Sequence, residues 1–89
     1  MVITVRYYAA ACAAAGVESE TLQLPDGATL AGALEAARAV DRSPEPGSPP
    51  LADVLSRCSY LVNEVAAKDP HRPLAHGDLL DVLPPFAGG

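Results

Sequence analysis

Leu79-Leu80-Asp81-Val82-Leu83-Pro84-Pro85-Phe86-Ala87-Gly88-Gly89 is an apolar strand that runs without a break into a proline-stiffened arm. No charged side chain follows Asp81, so the charge expected on the arm is the α-carboxylate of Gly89, ionised at neutral pH with a reference pKa of about 3.3–3.7. Pro84 and Pro85 fix φ at about −65° and bias the chain toward an extended path, directing the arm away from the body that precedes it. Gly88 and Gly89 lack Cβ atoms, so the tip fits a channel that admits only backbone and suits carboxylate chemistry in a partner's active site. Two terminal glycines alone would read as a frayed chain end. Strand, Pro-Pro hinge, one aromatic and two glycines in that order favour the arm.

Working backward, the strand at 79–83 needs a sheet. Val2 to Tyr8 alternates, with Ile3, Val5 and Tyr7 on one face and Val2, Thr4, Arg6 and Tyr8 on the other, which predicts the first strand. Glu18 to Leu24 alternates again, with Leu22 and Leu24 inward, and Pro25-Asp26-Gly27 closes it with a turn signal. These two strands pair as a hairpin. Between them Ala9 to Ala15, almost pure alanine around Cys12, predicts a short helical turn stopped at Gly16 that connects rather than supports. Thr29 caps a run with Leu30, Ala33, Leu34, Ala37 and Val40 at helical spacing, the one substantial helix. Gly32 should destabilise that helix by about 1 kcal/mol relative to Ala, and close packing on the sheet is the expected reason for its presence.

Arg42 to Pro50 holds four prolines in nine residues and is read as an exposed loop, neither helix nor strand. Leu51 to Leu55 allows one helical turn, Ser59 to Val62 is a strand, and Asn63-Glu64 turns into Val65. Lys68 to His76 is a Pro-rich connection, with His76-Gly77-Asp78 as the turn into the final strand. This order gives an α+β domain, a mixed sheet with one main helix across one face. If the first and last strands lie parallel and adjacent, the helix supplies the required crossover, and the architecture is a β-grasp, the ubiquitin-like fold. The domain is expected over residues 1–83, with 84–89 a flexible Gly-Gly tail.

Composition narrows the function classes. A net charge of −5 argues against nucleic acid and for a basic protein surface as partner. An 89-residue chain with 49% hydrophobic residues can fold as one domain without staples. Cys12 and Cys58 show no metal-ligand or Cys-x-x-Cys spacing, which predicts passive free thiols in a reducing compartment. The chain opens on a strand rather than a signal stretch, and no apolar run approaches the roughly 20 residues that span a bilayer. A cytoplasmic protein that does not enter the membrane is expected. His71 and His76 read as solvated surface residues rather than metal ligands, and the tyrosines as sheet packing. Phe86 either closes the last strand or anchors the arm in a partner, and the prolines before it favour the anchor.

The chain resembles the small sulfur-carrier subunit of molybdopterin synthase, a ubiquitin-like family often called MoaD and related to the thiazole-pathway carrier ThiS. The resemblance rests on Tyr7-Tyr8-Ala9, Gly16, Pro25-Asp26-Gly27-Ala28-Thr29-Leu30, Val62-Asn63-Glu64, Gly77-Asp78 and above all Leu83 to Gly89. The Pro-Pro pair before the glycines looks like the molybdopterin branch. Two departures are the Pro-rich 42–50 insertion and His76, where the family commonly has an acidic residue. The resemblance implies that an adenylating enzyme of the ubiquitin-activating type uses ATP to activate Gly89, that a sulfur donor makes the thiocarboxylate, and that the arm then enters the large subunit of a heterotetrameric synthase. There the sulfur passes to cyclic pyranopterin phosphate. It implies partner contacts from Pro84, Pro85, Phe86, Ala87 and Gly88, no bound cofactor, no metal and no catalytic side chain on the carrier. The partner is expected to meet an uncharged sheet surface together with the arm, with basic groups on its rim. Sulfur carriage for thiazole, cysteine or thiolated tRNA, protein modification through Gly89, and a binding module that ignores the tail are the competing classes.

Overall fold

Among the described residues eight elements follow one another: β1 (Val2–Tyr7), α1 (Ala9–Ala15), β2 (Ser19–Gln23), α2 (Leu30–Ala39), α3 (Leu51–Leu55), β3 (Ser59–Val62), β4 (Val65–Ala66) and β5 (Leu79–Leu83). They are taken from a computed structural model, which describes residues 1–85. The strands form one sheet in the order β2-β1-β5-β3-β4. β1 and β5 are parallel, with Thr4 opposite Leu79 and Tyr7 opposite Val82, while all other pairs are antiparallel. A parallel pair requires a crossover, and the helical segments between β2 and β3 supply it. β5, last in sequence, is therefore central in space.

Alternation puts Ile3, Val5, Tyr7, Leu80, Val82 and Val62 on one face of the sheet, each at most 3% exposed. The helices cover that face with Leu30, Ala33, Ala37, Leu51, Val54 and Leu55. Burying one such aliphatic side chain contributes about 1.5–3 kcal/mol, so this face holds the fold together. The polyalanine segment does more than connect. Ala11, Ala14 and Ala15 are 0–2% exposed, because side chains this small let α1 lie directly against α3 and the sheet. Gly16 ends α1 at φ 77°, donating its amide to the Cys12 carbonyl at 2.9 Å. A Cβ there would collide with the Ser43 carbonyl, so this glycine is required on two counts.

The Thr29 hydroxyl caps α2, accepting from the Gly32 amide at 3.3 Å. The carbonyls of Arg72 and Pro70 accept from the Leu30 and Ala31 amides, both at 2.9 Å, so the Pro-rich connection satisfies donors that the helix start leaves open. Gly32 does not behave as expected: an added Cβ would meet Thr29 and Ala28 only at 3.7 and 4.0 Å, ordinary van der Waals contact. Close packing does not explain this glycine. Asn63 and Glu64 both have positive φ, 51° and 69°, making the tight turn of the β3–β4 hairpin. His76, read as a solvated surface residue, is exposed, and it also accepts the Val2 amide on Nδ1 at 3.0 Å and secures the start of β1.

The loop at 42–50 contains no helix or strand, and most of its residues are exposed. Arg42 is the exception. Its guanidinium turns inward between α1, α2 and the β1–β2 hairpin, with the side chain 9% exposed, and pairs with Glu20 at 2.5 Å. Beyond it, the Glu45 amide donates to the Ala13 carbonyl at 3.0 Å and holds the loop against α1.

Candidate functional site: the root of the C-terminal arm

β5 is paired on both sides until its last residue. The Tyr8 amide donates to the Val82 carbonyl at 3.3 Å, and Ser59 lies opposite Leu83 across the antiparallel neighbour. The next two residues cannot continue either ladder, since proline has no N–H to give. The chain must leave the sheet there, at its centre. Pro84 is half-buried and Pro85 exposed. Phe86, Ala87, Gly88 and Gly89, the remaining residues singled out from the sequence, lie outside the described residues.

One concavity lies at this exit, and a second lies along β1 and its turn into α1. One, of about 270 Å³, is lined by Ala10, Pro49, Val54, Arg57, Pro84 and Pro85, so the Pro-rich loop reaches the arm's root through Pro49. The other, of about 470 Å³, is lined among others by Arg6, Tyr8, Ala9, Cys12, Glu18 and Ser19. Ala9, where the chain turns from β1 into α1 beside the exit, holds φ at 50°, a left-handed conformation that costs a non-glycine residue about 1–2 kcal/mol.

The sheet face opposite the helices departs from the expected uncharged surface. Register brings Arg6 beside Asp81 at its centre, where Arg6 Nε donates to Asp81 Oδ1 at 2.6 Å and a second guanidinium nitrogen to Oδ2 at 3.0 Å. Donating to the Asp81 carboxylate raises the Arg6 pKa further. Asp81 is only 3% exposed, although no helix covers this face. The Arg6 guanidinium also lies over the Tyr8 ring, 6.0 Å from its centroid. Leu61, on the strand beyond Asp81, completes this row of the sheet. The surface is neutral in sum but carries a charge pair at its middle. Both residues could have been found from sequence: Arg6 and Asp81 each face away from the core in their strands, and a parallel β1–β5 pair needs only the observed register to align them.

Cys58 donates its thiol to the Val54 carbonyl at 3.2 Å, and burial pushes its pKa up, away from thiolate chemistry. Cys12 lines the larger hollow without a hydrogen bond among the described residues. Tyr60 donates to the Leu55 carbonyl at 2.5 Å, and Tyr7 donates to Glu20, so both phenols hold structure together. Among the described residues no three His, Cys, Asp or Glu side chains converge as metal ligands, and no helix is long and apolar enough to cross a membrane.

A mixed five-stranded sheet with parallel first and last strands, and helices crossing one face, defines the ubiquitin-like β-grasp class. The comparisons carry this further: the sequence matches the ThiS family over residues 5–89, and the chain belongs to that family. Its structure is similar to that of SAMP1 from Haloferax volcanii, with a TM-score of 0.81, 24% identity and 100% of both chains covered. It is also similar to a putative molybdopterin converting factor, subunit 1, from Pyrococcus furiosus, with a TM-score of 0.74 and 20% identity over 97% of this chain and 99% of that one. A third likeness is to a complex of subunits 1 and 2 of the molybdopterin-converting factor from Helicobacter pylori, with a TM-score of 0.62 and 24% identity over 100% of both chains. At these identities the structural likeness carries the fold, and the family match supports a sulfur-carrier, ubiquitin-like role. None of the curated proteins matches the sequence.

Proposed function

We propose that the chain is a sulfur carrier and the small subunit of a molybdopterin synthase. The observation that supports this most is the family match, which runs through the tail, together with a central strand delivering Pro84 and Pro85 out of the sheet. In this reading the Gly89 carboxylate attacks the α-phosphorus of ATP in a ubiquitin-activating-type enzyme, and pyrophosphate leaves. A carboxylate is a poor electrophile until adenylation supplies a leaving group. A sulfur donor then displaces AMP and leaves a thiocarboxylate, a soft nucleophile. With Pro84, Pro85, Phe86, Ala87 and Gly88 threading the partner, its sulfur bonds to cyclic pyranopterin phosphate, and water then cleaves the acyl C–S bond, leaving the sulfur on the acceptor and returning the ordinary carboxylate. The large synthase subunit is the receiving partner, by analogy with the two-subunit Helicobacter pylori complex. The carrier binds no cofactor of its own, since ATP is used by the activating enzyme, and it works in a reducing cytoplasm.

A second reading takes its support from the likeness to small archaeal modifier protein 1 of Haloferax volcanii: the activated Gly89 is joined to a target lysine. Sulfur carriage for thiazole, cysteine or tRNA thiolation shares the first steps. Intact-mass spectrometry separates these outcomes. Incubation with ATP, the adenylating enzyme and a sulfur source should exchange one terminal oxygen for sulfur, with fragments placing it on Gly89. Cys12→Ser/Cys58→Ser should be modified equally well, and deletion of Gly89 should abolish modification. Sulfur found as a persulfide on either cysteine refutes the mechanism. Addition of the synthase large subunit and cyclic pyranopterin phosphate should restore the carboxylate, whereas higher-mass adducts would favour the modifier.

A further inference from the structure

The Arg6–Asp81 pair is an unusual use of a central sheet position. Asp81 is a carboxylate 3% exposed on the face no helix covers, and both its oxygens accept from Arg6. Breaking such a pair on one side leaves a buried charge, while replacing both members with apolar residues is often neutral for stability. Stability alone therefore does not call for it. What the pair does provide is a fixed guanidinium. Asp81 engages Nε and one terminal nitrogen, the remaining N–H groups make no bond among the described residues, and the Arg6 side chain stays 41% exposed. These donors stand at the wall of the hollow of about 470 Å³ shared with Tyr8, Ala9, Glu18 and Ser19, on the residue pair next to Tyr7–Val82, the last pair of the β1–β5 ladder. An arginine oriented in advance, beside an aromatic and next to an apolar surface, has the properties of an interface anchor.

We propose that Arg6, clamped by Asp81, is a specificity-determining contact for the adenylating enzyme that activates the arm, donating to a backbone carbonyl of a partner loop seated in this hollow. Charge sets the group that the partner loop presents. Asp81 has already neutralised Arg6, and Glu18 lines the same hollow, so an incoming carboxylate would meet net negative potential while a neutral carbonyl would not. The same Glu18 favours a lysine or arginine on the rim of the partner loop. Asp81 acts through Arg6 and is a positioning residue. This inference rests on the activation step of the proposed function, which every reading of the tail shares, and not on which acceptor receives the sulfur.

The test is ATP–pyrophosphate exchange by the adenylating enzyme with the full-length carrier as variable substrate. Arg6→Lys keeps a cation beside Asp81 but loses the planar fork, and Arg6→Leu/Asp81→Leu removes the pair without stranding a charge. Thermal unfolding identifies which variants remain folded. In the folded variants KM for the carrier should rise by about tenfold or more with kcat little changed, the signature of a lost docking contact. Glu18→Lys should raise KM as well, and added salt should reduce the difference from the unaltered chain. Deletion of Gly89 should instead abolish exchange. Unchanged KM in folded Arg6→Lys and in the double variant overturns the Arg6 contact and leaves the activation reading standing. No exchange with the unaltered chain overturns both.

Discussion

Arg42 shows how one side chain can fix three segments at once. Its guanidinium donates to Glu20 Oε2 at 2.5 Å and Oε1 at 3.2 Å, to the Tyr7 hydroxyl at 3.1 Å, and to the Ala15 and Ala37 carbonyls at 3.3 and 2.7 Å. The two carbonyls belong to the ends of α1 and α2, where exposed C=O groups and the helix dipole favour a cation. Its Nε is buried without a partner among the described residues, and the guanidinium lies 5.3 Å from the centroid of the Tyr7 ring. Arg42→Ala should destabilise the protein by about 3 kcal/mol, because it strands a half-buried carboxylate and two carbonyls. Glu20→Ala should act in the same direction. Since both remove one shared interaction, the double variant should lose clearly less than the sum of the singles in urea unfolding. Additive losses would show that the contacts are not coupled. Nothing local in the sequence announces this cluster, because Glu20 and Tyr7 lie 22 and 35 positions before Arg42. A proline-rich composition correctly excludes helix and strand, but it says nothing of where the first side chain of the loop points.

Elements were legible wherever a period could be read. β1 alternates without exception, Thr29 and the Leu-Ala spacing mark α2, and Pro84-Pro85 marks the end of β5. β4, with two residues, is too short to have a period. The sequence pattern underrates α1 because alanine buries little area by itself; what it contributes is close approach, a property of the neighbours as much as of the residue. Gly32 is the opposite case, a helical glycine with room for a methyl group in ordinary contact. Gly32→Ala should therefore stabilise the protein by about 0.5–1 kcal/mol, through helix propensity and a less flexible unfolded chain. For a domain this size the unfolding midpoint should rise by about 3–6 °C. A fall in midpoint would mean that the first turn of α2 needs the glycine for a contact the packing does not reveal. Gly16→Ala, by contrast, forces a methyl group into the Ser43 carbonyl at positive φ and has no such benefit.

At the scale of the molecule, the proposed function requires a body that stays folded while the arm's partners change. The candidate site was legible as a tail, because its glycines and prolines are local, whereas the charge pair beneath it required the β1–β5 register. The titratable groups that couple to folding lie at the two extremes of pH. Burial pushes Tyr60 up to about 12 from an ordinary value of 10.0, and burial followed by the hydrogen bond to Glu20 raises Tyr7 as well. The folded state thus holds these protons more tightly than the unfolded chain, so the stability they contribute is complete below pH 10 and is lost as pH rises through the folded values. Asp78 has the reverse sign. Its carboxylate accepts from the Ala75 amide and the Asn63 side chain, which lower its pKa below 3.8, so its contribution is present above that value and is lost as pH falls through the folded one. Unfolding free energy should consequently be nearly level across neutral pH, with an alkaline limb that starts near pH 9, where the buried Cys58 thiol begins to contribute, and steepens above pH 10 with the tyrosines, and an acid limb starting near pH 4. Tyr60→Phe removes one contributor to the first limb and should make it shallower, without changing the acid side. Asp78→Asn should do the converse. Urea unfolding of the three proteins at pH 3, 7 and 11 measures both limbs, and an alkaline slope as steep in Tyr60→Phe as in the unaltered chain would assign that limb to other groups.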